Sequence, residues 1–383
     1  MTPPASHITL GMTASLTGRY SGPGRQARVG VLAWIDDTNR AGGIRVRDRS
    51  SVRLPVRLIC YDDAGQGERC QTLTERLIVD DRVDILLGPY ASGLTRRAAA
   101  VAENYEHVLW NHGGSTDAVY RAGHTWVVGI LTPASRYFHG VIDAVADAYP
   151  ALQRVTILHG TTGAFPRDVA VGAVQHCRER GVETVQSIAY PPDTDDFTTL
   201  LQPLQADPPD VLLGVGRIED DLRLAAQLAD MNLPLKTIGL IVTPLQQFWM
   251  TLGESANGFA GPSQWEPDVV TSPGYGPSTA EVMRSFKRYA SEALDIDYPM
   301  AQAYAGCLVV QRCIEVAGSL SQAALRRVAG ELDVTTFYGH YRIDSHTGQQ
   351  LGHVMPVIQW QEGAKVMVWP PAMRQQRLLL WGE

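Results

Sequence analysis

Residues 83–110 read VDILLGPYASGLTRRAAAVAENYEHVLW, and this stretch decides the fold. An apolar run at 83–87 passes through the turn Gly88-Pro89-Tyr90-Ala91 into a helical pattern at 94–105. A second apolar run follows at 108–110. Strands that are apolar throughout, rather than alternating, are buried on both faces, which is the mark of a parallel sheet covered by helices. The same beat repeats in both directions. Upstream lie a strand at 8–14, a helix at 27–41, a strand at 56–61 and a helix at 68–79. Gly42-Gly43 suits the end of the first helix, because glycine takes the left-handed conformation at little cost. Downstream come strands at 126–131, 155–159, 184–189, 211–215 and 237–242, separated by helices at 136–148, 168–180, 197–205 and 220–231.

Two such runs joined by one strand predict an α/β protein of two doubly wound lobes. From residue 277 the pattern changes to two long helices, 279–294 and 300–317, a shorter one at 321–330, and strands near 340–343, 354–360 and 364–369. A chain that builds one lobe, then the other, and then returns must cross between them repeatedly. Three hinge crossings are expected, near 131–132, near 262–265 and beyond 338. Lobe one is then 1–131 plus about 266–345, and lobe two 132–265 plus about 346–383. A small ligand is expected in the cleft between them, at the carboxyl ends of the strands.

Composition narrows the function. The 383 residues suffice for two or three domains of roughly 150 residues each. Lys and Arg number 33 against 40 Asp and Glu, a net charge of −7, the wrong sign for a protein that neutralises nucleic-acid phosphates. The long uncharged stretch 237–253 contains Pro244, Gln246 and Gln247 and is too short for a membrane span. The first seven residues carry neither a basic nor an apolar leader segment, so either the protein is cytosolic or the numbering begins after a removed signal. The five cysteines form no CxxC and read as small core side chains, with a Cys60–Cys70 bridge as the alternative.

Enzyme motifs fail one by one. Gly214-Val-Gly216 lacks the third glycine of a dinucleotide loop, and neither a phosphate-binding GxxxxGK[ST] nor an HExxH is present. His112-Gly113-Gly114-Ser115 resembles an esterase oxyanion segment. The matching nucleophile elbow is absent, since Gly253-Glu-Ser255-Ala-Asn257 ends in asparagine. The glycines after the strand at 108–110 fit a loop whose backbone approaches a ligand closely. Binding without catalysis, cofactor or metal is the expectation.

Several stretches, taken in order, resemble one family. Gly11-Met-Thr-Ala-Ser-Leu-Thr-Gly18, Asn39-Arg-Ala-Gly42-Gly43-Ile44, Tyr61-Asp62-Asp63 and Leu87-Gly88-Pro89-Tyr90-Ala91-Ser92 are similar to the opening loop, first helix stop, second strand end and ligand loop of type I periplasmic binding proteins of the leucine/isoleucine/valine kind. These deliver solutes to ABC transporters. The resemblance implies an extracytoplasmic, monomeric receptor with a small-molecule ligand and a membrane permease as partner. It equally covers cytosolic amide-sensing regulators that share the fold.

The same resemblance implies the site. Ser92 would take a ligand carboxylate or amide oxygen at a helix N-terminus, where unpaired N–H groups suit an anion, although an N-capping role can coexist. Gly113 through its backbone and Ser115 through its hydroxyl would hold a polar group; a local turn bond is the other reading for Ser115. Phe165 would pack over the ligand's apolar part from lobe two. Tyr90, Trp110, His112 and Tyr137 lie at strand ends or loop starts near the same cleft, as wall or core before direct ligand contact, and Ala91 belongs to the ligand loop with Tyr90 and Ser92. Asp62 and Asp63 are expected to cap the following helix. Arg217 stands where branched-chain amino-acid binders carry tyrosine, and Ile241 where they carry an acid that pairs with the ligand ammonium. An ammonium without that partner would cost several kcal/mol, whereas the fork of Arg217 suits a carboxylate. A carboxylate, amide or aromatic acid is therefore expected over an ordinary α-amino acid.

Overall fold

The structure is a computed structural model that describes residues 6–48, 53–192, 194–231, 233–269, 271–290 and 294–382. It divides into two compact units, 1–132 with 265–354 and 133–264 with 355–383, so the chain passes from one to the other three times. The passages follow Thr132, Gln264 and Val354. The segment before Val354 stays with the first unit, since Gly129 N–H donates to Gly348 O and Gln350 Nε2 to Ile130 O.

In chain order, unit 1 begins with β1 (Ile8–Ala14), α1 (Ser21–Arg40), the ribbon β2 (Ile44–Arg45) and β3 (Arg53–Leu54), β4 (Val56–Asp62) and α2 (Gly67–Val79). It continues with β5 (Ile85–Leu87), α3 (Ser92–Asn104), β6 (Leu109–Asn111), α4 (Ala118–Arg121) and β7 (Val127–Gly129). Unit 2 follows with α5 (His139–Ala148), β8 (Arg154–Gly160), α6 (Phe165–Glu179), β9 (Thr184–Tyr190), α7 (Thr198–Ala206), β10 (Val211–Val215) and α8 (Ile218–Asp230). Then come β11 (Thr237–Leu240), α9 (Gln246–Leu252) and β12 (Ala260–Pro262). The chain returns to unit 1 for α10 (Thr279–Tyr289), α11 (Tyr298–Ala317), α12 (Gln322–Glu331) and the hairpin β13 (Val334–Thr336) and β14 (Gly339–Tyr341). It ends in unit 2 with β15 (Val357–Gln361) and β16 (Ala364–Trp369).

The unit 1 sheet has the order β4-β1-β5-β6-β7, all parallel. The unit 2 sheet runs β16-β15-β12-β11-β10-β8-β9, parallel from β9 to β12, with β15 and β16 added antiparallel at one edge. Strand order reverses beside β1 in the first sheet and beside β8 in the second, and a doubly wound sheet binds ligands at the carboxyl ends of the strands around such a point.

Burial explains both the successes and the misses. β1 and β10 are buried along their whole length, as continuous apolar runs require, whereas β9 is an edge strand with its middle exposed. α1 starts at Ser21, six residues earlier than the apolar pattern, because Pro23 in the first turn needs no backbone donor. α10 ends at Tyr289; the remainder of the expected 279–294 helix includes 291–293, which lie outside the described residues. β12 is only Ala-Gly-Pro and leaves no apolar signature. α11 is buried on nearly every side, and α1 crosses it so closely that a Cβ on Gly30 would stand 2.2 Å from Met300 O. All five cysteines are free thiols, so Cys60 and Cys70 are not bridged.

Candidate functional site

In unit 1 two neighbouring loops at the carboxyl edge collect six of the residues singled out from sequence. The β5–α3 loop carries Tyr90, Ala91 and Ser92, and the β6–α4 loop carries His112, Gly113 and Ser115. Ala91 N–H donates to Gly113 O at 3.0 Å, joining the loops. They touch closely enough that a Cβ on Gly113 would lie 2.5 Å from Pro89 O, and one on Gly114 2.3 Å from Thr95 Oγ1. Ala91 sits at φ 82°, a conformation that L-residues avoid and that costs of order 1–3 kcal/mol. Ala91, not Ser92, occupies the cap position of α3; Ser92 is the first helical residue. Its Oγ accepts from Thr116 N–H at 3.2 Å, which ties it to the second loop.

Two residues missed by the sequence reading shape this edge. Asn111, the last residue of β6, accepts from the N–H groups of Gly113 (3.2 Å) and Gly114 (2.8 Å). Its amide donates to Gly114 O (2.7 Å) and Tyr120 Oη (3.0 Å), so one side chain folds the loop. An asparagine two residues before a glycine pair is an Asx-turn signal that could have been read. Tyr298, at the start of α11, shares a 2.6 Å hydroxyl–hydroxyl bond with Tyr90, and nothing local predicts a partner so distant in sequence. His112 is fully buried, and burial pushes its imidazole down to about 4, so the ring is neutral at pH 7.

Asp62 and Asp63 depart from expectation, since neither side chain caps α2. Asp62 accepts from Leu16 N–H, Thr17 N–H, Thr17 Oγ1 and Ala64 N–H, and Asp63 from Ser15 Oγ and Gly65 N–H. They clamp the loop after β1 to the end of β4. Burial acts to raise the Asp62 carboxyl, but the Thr17 hydroxyl and the N–H groups of Ala64, Leu16 and Thr17 outweigh it and hold it at about 2.

In unit 2, Phe165 opens α6 and meets Tyr137 edge-on at 5.2 Å, while Tyr137 Oη accepts from Gln264 Nε2 at 3.1 Å. Phe165 and Ile241 are both half-buried against the core of this unit. Arg217 occupies the N-cap position of α8 without a capping bond from its side chain, and donates from Nη2 to Thr162 Oγ1 at 3.2 Å, joining the loops that follow β10 and β8. Below it, Asp220 and Asp221 are buried in the first turn of α8. Burial, reinforced by Asp220, pushes the Asp221 carboxyl well above the usual range despite the Gly216 N–H and Tyr190 beside it. Asp220 lies 3.6 Å from Arg223, which also pairs with Asp195. A hollow of about 160 Å³ edged by Ala144, Trp369, Arg374 and Arg377 contains none of the residues singled out from sequence. Among the described residues no cluster of His, Cys, Asp and Glu could hold a metal ion, and no helix is long and apolar enough to cross a membrane.

Two doubly wound units, each with a helix-covered parallel sheet, exchanged by three passages of one chain, define the type I periplasmic-binding-protein fold. The periplasmic binding protein family model matches residues 7–365, and the chain belongs to that family. A Leu/Ile/Val-binding protein of Rhizobium johnstonii, BraC3, is 25% identical over 367 residues, spanning 94% of each chain. The branched-chain amino acid transporter substrate binding protein LivJ of Streptococcus pneumoniae, solved with isoleucine, is 16% identical with a TM-score of 0.75, over 95% of this chain and 100% of that one. A solute binding protein of an ABC transporter from Rhodopseudomonas palustris, solved with 3,4-dihydroxybenzoic acid, is 15% identical with a TM-score of 0.74, over 94% and 95%.

Proposed function

We propose that the protein is an extracytoplasmic solute receptor of an ABC importer that binds a small carboxylate or amide and passes it to a membrane permease. The observation that carries this reading is the paired loop of unit 1: a strained Ala91 sets Ser92 at the N-terminus of a 13-residue helix, directly against the Gly113–Ser115 loop. Exposed N–H donors and a positive dipole end there favour an anionic or carbonyl oxygen. From unit 1 the proposed contacts are Ser92, Gly113 and Ser115, with Tyr90, Ala91 and His112 shaping the edge. From unit 2 they are Phe165, Arg217 and Ile241, with Tyr137 behind Phe165.

The ligand class follows from Arg217 and Ile241. A ligand ammonium would meet the guanidinium and an apolar side chain where a counter-charge would be needed, which disfavours it. Of the two carboxyls buried in the turn after Arg217, Asp221 is held towards its neutral form and Asp220 lies 3.6 Å from the Arg223 guanidinium. Relatives solved with isoleucine and with a dihydroxybenzoic acid bracket the alternatives. Thermal-shift measurements against leucine, isoleucine and valine, benzoate and hydroxybenzoates, short aliphatic acids and simple amides test the reading. A true ligand at 100 times its Kd adds about 2.7 kcal/mol of stability. Stabilisation by acids or amides is expected; stabilisation by the three branched-chain amino acids alone would overturn the ligand class.

A further inference from the structure

β4 is the outermost strand of the unit 1 sheet and pairs on one side only, with β1. Backbone groups along a strand point alternately to its two sides. Pro55 O accepts from Ile8 N–H and Asp63 N–H donates to Ala14 O, so the odd-numbered residues turn theirs towards β1. Those of Val56, Leu58, Cys60 and Asp62 face outward. Side chains stopper the two ends of this outward row. Asn39 of α1 accepts from Val56 N–H at 2.8 Å and donates to Val56 O at 2.9 Å, and Arg69 of α2 donates from Nε to Asp62 O at 2.8 Å. Between them, among the described residues, the N–H and carbonyl groups of the half-buried Leu58 and Cys60 have no hydrogen-bond partner. An open edge of this kind is a template for a further strand.

Four exposed arginines from three elements surround the opening. Arg57 lies on β4 itself, with Nε donating to Thr9 Oγ1 at 3.2 Å. Arg28 of α1 lies beside the Cys60 thiol, Arg76 of α2 stands 4.7 Å over the Tyr61 ring, and Arg69 holds Asp62 O. Among the described residues none of the four forms an ion pair with a carboxylate. The neighbouring acids have other partners. Asp62 and Asp63 accept from the N–H groups of the adjoining loops, Asp81 accepts from Tyr61 Oη at 3.0 Å, and Glu75 from Tyr105 Oη at 2.5 Å. In a chain of net charge −7 this fringe is a local reversal of sign.

We infer that the outer edge of β4 is a docking strip for an extended, acidic segment of a partner protein. The segment would add a sixth strand to the unit 1 sheet through Leu58 and Cys60 and set its carboxylates against Arg28, Arg57, Arg69 and Arg76. Main-chain bonds supply binding in such strand addition, and the flanking side chains supply selectivity. The guanidinium fork matches a carboxylate in both shape and charge. Charge also decides between occupants. Two copies of this edge face to face would set arginines against arginines, which opposes self-pairing. A lipid surface brings charge but no backbone groups for Leu58 and Cys60. The strip is separate from Ser92, Ser115 and the solute they are proposed to hold, so it stands or falls independently of the ligand class.

The probe is the synthetic peptide Glu-Val-Glu-Val-Glu-Val-Glu, with the same peptide carrying Lys for Glu as control. Amide hydrogen exchange of the full chain, read at Leu58 and Cys60, should slow with the acidic peptide and not with the basic one. The protection should fade as salt is added. Unchanged exchange at millimolar acidic peptide, or equal protection by both peptides, would overturn the inference. Arg57→Glu should weaken the acidic peptide about two- to fivefold, the range of a single exposed ion pair. Since that change also removes the Thr9 contact, Arg28→Glu on a separate helix serves as the second variant, with the same loss expected. Normal affinity in both variants would refute the charge match. The other occupants have their own readouts. A peptide-free dimer in sedimentation that itself protects Leu58 and Cys60 would assign the edge to self-association. Binding to phosphatidylglycerol vesicles that the two variants abolish, with no response to the peptide, would assign the arginines to a membrane. Either result would overturn the proposal.

Discussion

At the scale of single residues, the chemistry of unit 1 turns on a few atoms. Ser92 Oγ already accepts Thr116 N–H, and its own proton is what it would offer a ligand oxygen. Ser115 is 6% exposed at the end of a loop that Asn111 folds. Replacing either serine by alanine is expected to weaken binding of whichever acid or amide stabilises the parent protein by about 0.5–1.5 kcal/mol, or up to about 3 if the ligand group is charged. Calorimetric titration of both variants checks this, and unchanged affinity at one position would remove that serine from the site. Ser92→Ala should also loosen the Thr116 contact, so its ligand-free melting temperature falls more than that of Ser115→Ala.

At the scale of elements, the packing of α5 on α6 carries a pH dependence. His139 and His176 stack at 4.0 Å with planes 8° apart, and Asp143 accepts from His176 and pairs with Arg180. Burial, then His176 and Arg136, push the His139 imidazole down from 6.5 to about 4, against the pull of Asp143 and Glu179. Between those values the unfolded chain takes up a proton that the folded chain refuses, so stability falls as pH drops from about 6.5 and the loss is complete near 4. Solvent reaches this pair, which reduces the loss to about 1–2 kcal/mol. His139→Gln should flatten that part of the melting-temperature profile relative to the parent. His112 and His107, both lowered by burial, keep a residual slope in the same direction. Identical profiles for parent and variant would show that His139 titrates normally.

At the scale of the whole molecule, each unit is completed by a segment that returns from the other. α11 packs along α1 in unit 1, and β15 pairs with β12 in unit 2, although roughly a hundred residues or more separate the partners. Truncation after Gln264 removes α10–α12 from unit 1 and β15–β16 from unit 2. It is expected to abolish cooperative unfolding in both, as read by circular dichroism melts. A unit 1 chain made by joining 6–132 to 265–354 through a short linker should recover a cooperative transition. Cooperative folding of the 1–264 fragment would show that the returning segments are dispensable.

What the sequence alone determined was periodic and local. The continuous apolar run at 83–87, the glycine stops at Gly42-Gly43 and the alternation with helices are properties of neighbouring residues, and they sufficed for two doubly wound α/β units. The places of the loops after β5 and β6 were legible for the same reason, as ends of strands in a parallel sheet, whereas a binding role for Ser92, Gly113 and Ser115 came from the family resemblance. The tertiary structure decided what depends on meetings between distant parts of the chain. Tyr90 finds Tyr298 from 208 residues away. Asp62 and Asp63 serve the β1 loop rather than the helix beside them, because the parallel pairing of β1 with β4 brings that loop within reach. Local sequence sets which backbone conformations are cheap, while side-chain partnership depends on which surfaces the packed units bring together, and no window of sequence contains that information.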